Sequence, residues 1–248
     1  MRLANMKDAI HTVRYSLTNA KTVNSAMWQG KEVGMDFLEL LNVSISAKMK
    51  PTIQGAVEQC NPDLPWADQH FEERVCGKPL NPPPSHVNWK AGTEKYLTED
   101  QEKFSHSYPE RMWSKGLHTG IRYNIADLNT LVDVLVKDPG TRQAYLPMFF
   151  PEDLSASLIS ERVPCTLGWH FMIRDNYVHC HYPMRSCDAV RHLHNDVYLA
   201  NRLVLWVIER MQDSGIQGLK PGELFMNVTS MHCFANDMYT LKKMTGQK

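Results

Sequence analysis

The chain has 248 residues, 43% apolar and 22% charged, with Lys+Arg and Asp+Glu both at 27. That length suits one large domain with a substantial core, and the even charge balance argues against direct binding along nucleic acid. No stretch reaches the roughly 18 apolar residues of a membrane helix, and the opening residues lack the apolar core of a secretion signal, so a cytoplasmic protein with one domain over 1–248 is the expectation.

In chain order, Leu3, Met6, Ile10, Val13 and Leu17 recur at helical spacing and predict a helix over 1–20. Residues 35–47, rich in Leu, Val and Ile, predict a strand. Residues 61–108 read as a short helix near 66–76 followed by a long polar excursion through a proline run, a length usually tied to function or mobility. A helix is expected over 124–137, capped by Asn124 and ended by Asp138-Pro139-Gly140. A strand follows at 142–150, where Pro147 points to a sheet edge or bulge. Two alternating arms flank Asp175-Asn176, with Leu167, Trp169, Phe171 and Ile173 on one face of the first; this predicts an antiparallel hairpin. An amphipathic helix over 196–211, a short strand over 224–232 and a helix near 235–243 complete the chain. Strands and helices alternate without a regular βαβ rhythm, so the expected class is α/β in the broad sense (α+β), a mixed twisted sheet flanked by helices.

The six cysteines form no CxxC pair, which disfavours structural zinc, and without a secretion signal they are expected as reduced thiols. The hairpin makes one of them interesting. Cys165 lies ten residues before the turn and Arg185 nine after it, so the two should be neighbours across the ladder. An arginine beside a cysteine favours a thiolate and can grip a phosphate with two N–H groups. On pattern alone, a cysteine here is more often a small core residue. Asp188, Arg191, His192, His194 and Asp196 make a polar loop, but His-x-His without a third spaced ligand is weak evidence for a metal. They read as solvated loop residues; His170, His179 and His181 read as a sheet face, and Arg142 as an ordinary surface charge.

Pro164-Cys165, Arg185-Ser186-Cys187-Asp188 and Asn195-Asp196, in that order and spacing, resemble the thymidylate synthase family. Residues 136–143 resemble its phosphate loop, with Arg142 in place, and Met231-His232-Cys233-Phe234 resembles its ribose contact. The first third of the chain matches poorly. The resemblance implies a mixed-sheet fold, a homodimer with shared sites, a pyrimidine-nucleotide substrate and 5,10-methylenetetrahydrofolate as one-carbon donor. It assigns Cys165 as nucleophile, Arg185, Ser186 and the neighbouring subunit's Arg142 to phosphate, Asp196 to the base and His232 to the sugar, with Asp188 and Asn195 also among the substrate-binding residues. Glu72 or Glu73 is the candidate catalytic glutamate, and His170 stands where the family has a glutamine. Gln143, Phe234 and Thr119 also depart from the family pattern.

Asp196 divides the family. Synthases place Asn there, whereas phage deoxycytidylate hydroxymethylases, which the chain resembles more closely, place Asp. A carboxylate accepts from the exocyclic amine of cytosine, as acidic side chains do in reading that base. The implied activity is hydroxymethylation of dCMP in a phage-infected bacterium. A cytidylate methyltransferase, a dUMP hydroxymethylase and a catalytically silent binding relative remain as alternatives.

Overall fold

The fold is that of a computed structural model, which describes residues 4–28, 31–89, 97, 102–113, 127–158 and 161–247, and their side chains except over 25–35. The expected cap Asn124, the loop with Thr119 and Leu3 lie outside the described residues.

A mixed sheet organises the chain. Its order is β1 (Ala4–Asn5), β3 (Lys31–Lys48), β7 (Lys220–Phe234), β6 (Tyr177–Asp188), β5 (Gly168–Arg174) and β4 (Tyr145–Pro147), with β2 (Lys21–Trp28) also paired to β3. β1/β3 and β6/β7 are parallel and the other pairs antiparallel, which confirms the mixed α/β class. β4 is three residues long and lies on the outside of β5, where a strand proline costs no ladder bond.

The β5–β6 hairpin closes through Asp175 (φ 51°) and Asn176 (φ 63°). Two consecutive left-handed residues make the turn whose twist matches paired strands, and Asp and Asn tolerate that conformation. The turn sets the register, which buries Trp169, Phe171 and Ile173 of β5 on the same face as Val178, Cys180, Tyr182 and Met184 of β6. Leu224, Met226 and Val228 of β7 and Ile45 and Ala47 of β3 continue that apolar layer. Trp169 stacks on Tyr182 with ring centroids 3.8 Å apart.

Helices cover this face. α7 (Leu193–Asp213) lays down Val197, Ala200, Val204, Val207 and Met211, all buried at helical spacing. α1 (Met6–Leu17) contributes Met6, Ile10, Val13 and Leu17, and the side chain of Asn5 caps it by accepting from the Asp8 N–H. α2 (Ile53–Cys60) was not expected from sequence; α3 (Trp66–Val75) matches the helix expected near 66–76. α4 (Tyr108–Met112) carries a full capping box between Ser107 and Glu110. α5 (Leu128–Lys137) begins at an Asp127 cap, and α6 (Pro151–Leu158) and α8 (Met238–Thr245) complete the set. Among the described residues, no helix is long and apolar enough to cross a membrane.

Candidate active site

The hairpin puts the start of β5 beside the end of β6. The Arg185 N–H donates to the Cys165 carbonyl at 2.9 Å, the adjacency expected from their spacing. Cys165 Sγ lies 3.4 Å from Ser186 Oγ, and Arg185 Nη1 donates to that hydroxyl at 3.3 Å. Arg185 Nε and Nη2 each donate at 2.8 Å, to the carbonyls of Pro164 and Val163. The guanidinium therefore braces the loop that carries the cysteine. A guanidinium has five N–H donors, so it keeps further donors for an anion.

Behind the cysteine stand residues that the sequence reading did not single out. Tyr108 Oη lies 3.4 Å from the Thr166 N–H and 3.2 Å from Thr166 Oγ1, which in turn lies 3.0 Å from Tyr182 Oη. Burial pushes both phenols above their ordinary range, so they remain protonated.

The other end of the site forms where β6 runs into α7. Asp188 Oδ1 accepts from the N–H groups of Val190 (2.9 Å) and Arg191 (3.0 Å), which shapes that turn. Asp196 sits in the first turn of α7. Burial raises its carboxyl above the usual value, opposed by the charges of His192 and Arg74. The Cys187 thiol donates to Asp196 Oδ2 at 3.5 Å; burial, then the charge of Asp196, keeps that thiol protonated. His232 pairs with Asp188 across the β6–β7 ladder, and burial holds its imidazole below its ordinary value.

Asn195 serves the wall rather than the opening. Its amide accepts from the Asp63 N–H at 2.9 Å and donates to Asp63 Oδ2 at 2.9 Å and to the Arg191 carbonyl at 3.3 Å, pinning the 61–63 segment. His194 does similar work between Asp63 Oδ2 (3.3 Å) and Arg14 (3.1 Å).

Helix phase separates the two candidate glutamates. Glu72 is 67% exposed and pairs with Arg202 at 2.8 Å, away from the cysteine. Glu73 is half-buried and accepts from both the N–H and the hydroxyl of Ser85. Burial raises its carboxyl, but hydrogen bonds from His70 and Ser85 outweigh that and hold it below the ordinary value. His70 Nε2 accepts from Arg74 Nε at 3.1 Å, with Nδ1 3.7 Å from Glu73. Arg74, only 4% exposed, lies 4.3 Å over the Tyr108 ring. Glu73, His70 and Arg74 thus form a fixed row leading to the tyrosine behind Cys165. Beside it, His70, Trp66, Trp89 and His192 stack in sequence at 4.9, 6.1 and 5.2 Å.

Two expected residues are not brought to Cys165. Arg142 is exposed near the β4 edge, and His170 bonds its carbonyl at 3.0 Å on the outer sheet face. His181 on that face lies 2.9 Å from Asn227 Oδ1.

A thiol held against a hydroxyl that itself accepts from a guanidinium, with a buried carboxyl at the far end, suits nucleophilic chemistry on an anionic ring substrate. The thymidylate synthase family profile matches residues 86–248. The chain belongs to that family, whose chemistry is folate-dependent one-carbon transfer to a pyrimidine nucleotide with methylenetetrahydrofolate as donor. A search of the curated proteins finds no match. Among solved structures, thermostable thymidylate synthase A from Bacillus subtilis is similar over 99% of this chain and 85% of its own, with 13% identity and a TM-score of 0.68. The structural likeness therefore reaches the described residues before 86, which the family profile does not match.

Proposed function

We propose that the protein is a deoxycytidylate 5-hydroxymethyltransferase that acts as a cytoplasmic homodimer, and that its product serves DNA modification in a phage-infected bacterium. The observation that carries the cytosine reading is Asp196. It is a carboxyl at the ring end of the site whose one side-chain hydrogen-bond donor, among the described residues, is the weak Cys187 thiol. One oxygen accepts from the exocyclic amine of cytosine, and the other faces ring nitrogen 3. The compartment, the host and the final water step come from the resemblance.

The residues present fit the reaction. Cys165 adds to ring carbon 6, which makes carbon 5 nucleophilic. Arg185 and Ser186 hold the phosphate near the cysteine, and Arg142, exposed near the β4 edge, is assigned by the resemblance to the phosphate of a neighbouring copy. Glu73, fixed by Ser85 and His70, is the carboxylate for proton handling. His232 supports the sugar. Trp89 and His192 give a half-buried flat wall next to Asp196, which fits a planar pterin. Bound methylenetetrahydrofolate supplies the one-carbon unit.

The test is incubation with methylenetetrahydrofolate and dCMP, CMP or dUMP, followed by mass spectrometry. A gain of CH2O on dCMP is expected. A gain of CH2 instead identifies a methyltransferase, and no product from any of the three rules out the activity. Asp196→Asn should lower the dCMP-to-dUMP ratio of kcat/KM about tenfold to a hundredfold. One unpaired polar group in a closed pocket costs roughly 1–3 kcal/mol. An unchanged ratio would assign base recognition to other residues.

A further inference from the structure

α3 sets three polar side chains together. His70 and Arg74 are four residues apart and His70 and Glu73 three apart, the spacings at which helix side chains meet. Arg74 Nε and Nη2 both approach His70 Nε2, at 3.1 and 2.8 Å. A guanidinium has donors and no acceptor, so His70 Nε2 accepts from both and cannot carry the ring hydrogen. That hydrogen is then on Nδ1, which faces Glu73 Oε2 at 3.7 Å. Trp66, one turn earlier, stacks on the same ring with centroids 4.9 Å apart and planes 14° apart, and so holds its plane. We infer that Arg74 is a positioning residue of this site: its two donations lock the His70 hydrogen onto the nitrogen that faces the Glu73 carboxylate.

The rest of the Arg74 environment fits that role. Buried charges are normally paired, yet among the described residues Arg74, 4% exposed, forms no ion pair with a carboxylate. Its guanidinium lies instead between His70 and the Tyr108 ring, 4.3 Å from the ring centroid. Ser85 donates to Glu73 through its N–H and its hydroxyl. His192, at the start of α7, lies near His70, and Tyr108, Tyr182 and Asp196 lie beyond Arg74. Burial, followed by the Arg74 charge, holds the His70 imidazole at about 4, so near pH 7 the ring carries one hydrogen.

The sign follows. An N–H turned toward Glu73 favours its carboxylate, whereas the other tautomer would turn a lone pair toward it and favour the protonated acid. Ser85 donates to Glu73 in either case, so the tautomer is the part that Arg74 controls. A carboxyl group must be ionised before it can take a proton. In the function proposed above, Arg74 therefore keeps Glu73 ready as a base while making no bond to it. This consequence rests on that reading; the tautomer does not.

Imidazole nitrogen NMR of the ligand-free protein, with His70→Gln to assign the signals, reads the tautomer directly. The parent protein should carry the hydrogen on Nδ1. Arg74→Met removes both donors and should let it move to Nε2; Arg74→Lys keeps a donor and should hold it on Nδ1. The Glu73 carboxyl carbon, assigned with Glu73→Gln, should titrate roughly 1 pH unit higher in Arg74→Met. The acid limb of kcat/KM for dCMP should move up with it, whereas a purely structural loss would lower the rate equally at every pH. Hydrogen on Nε2 in the parent protein overturns the inference without any variant. An unmoved tautomer, or an unmoved Glu73 midpoint, in folded Arg74→Met overturns it as well. A switched tautomer in a protein whose parent turns over no pyrimidine nucleotide upholds the positioning role and rejects the functional reading.

Discussion

Cys165→Ala is expected to lower turnover about 10⁴-fold or more, the scale of losing a covalent nucleophile. Nucleotide affinity should change little. Arg185 holds the loop through the backbone carbonyls of Val163 and Pro164, so the loop keeps its place without the thiol. Ser186 loses only a 3.4 Å sulfur contact. Steady-state kinetics beside a calorimetric Kd separate the two effects. Residual turnover within tenfold of the parent enzyme would remove Cys165 from the chemistry.

The second large effect concerns stability. Arg111 and Asp153 are 2% and 3% exposed and meet through two bonds of 2.8 and 2.7 Å. Arg111 Nη1 also donates to the Met148 carbonyl at 2.9 Å, and Asp153 accepts from the Phe150 N–H at 2.7 Å. The pair ties α4, which carries Tyr108, to the chain after β4. Asp153→Ala strands a buried guanidinium and should cost about 3–5 kcal/mol, a large share of the roughly 5–15 kcal/mol that holds a domain folded. Arg111→Met combined with Asp153→Leu removes both charges and should recover much of the loss. Chemical denaturation measures both. Equal losses in the single and double variants would show that the stranded charge is not the cause.

What the sequence revealed followed local rules. Asp175-Asn176 fixed a turn type, and the turn fixed the register that sets Arg185 against Cys165. The α7 stripe was legible because five apolar residues repeat at helical spacing. α2 was missed because it buries only Ala56 and Cys60, and α6 because Leu154 and Leu158 face water. β7 is longer than its expected 224–232, running over Lys220–Phe234. Gly222 is in the strand because a Cβ there would come within 3.0 Å of the His179 ring. β4 is shorter than its expected 142–150. In the site, Glu72 and Glu73 could not be separated without the phase of α3 against α7. His192 read as a solvated loop residue because its stacking partner, Trp89, is distant in the chain. Arg74 and Tyr108 gave no signal for the same reason: both are brought behind Cys165 by packing alone.

The central claim is that Cys165 attacks ring carbon 6 of a cytosine nucleotide and that carbon 5 then takes the folate carbon. Completing that reaction requires loss of the proton on carbon 5. Fluorine at carbon 5 cannot leave as a cation, so 5-fluoro-dCMP should stall the enzyme after the new bond forms. With methylenetetrahydrofolate present, intact-protein mass spectrometry should show the chain heavier by one nucleotide plus one folate, with the added mass on the Cys165 peptide and none in Cys165→Ala. An unmodified chain, or an adduct carried by Cys187 or another cysteine, would contradict the account.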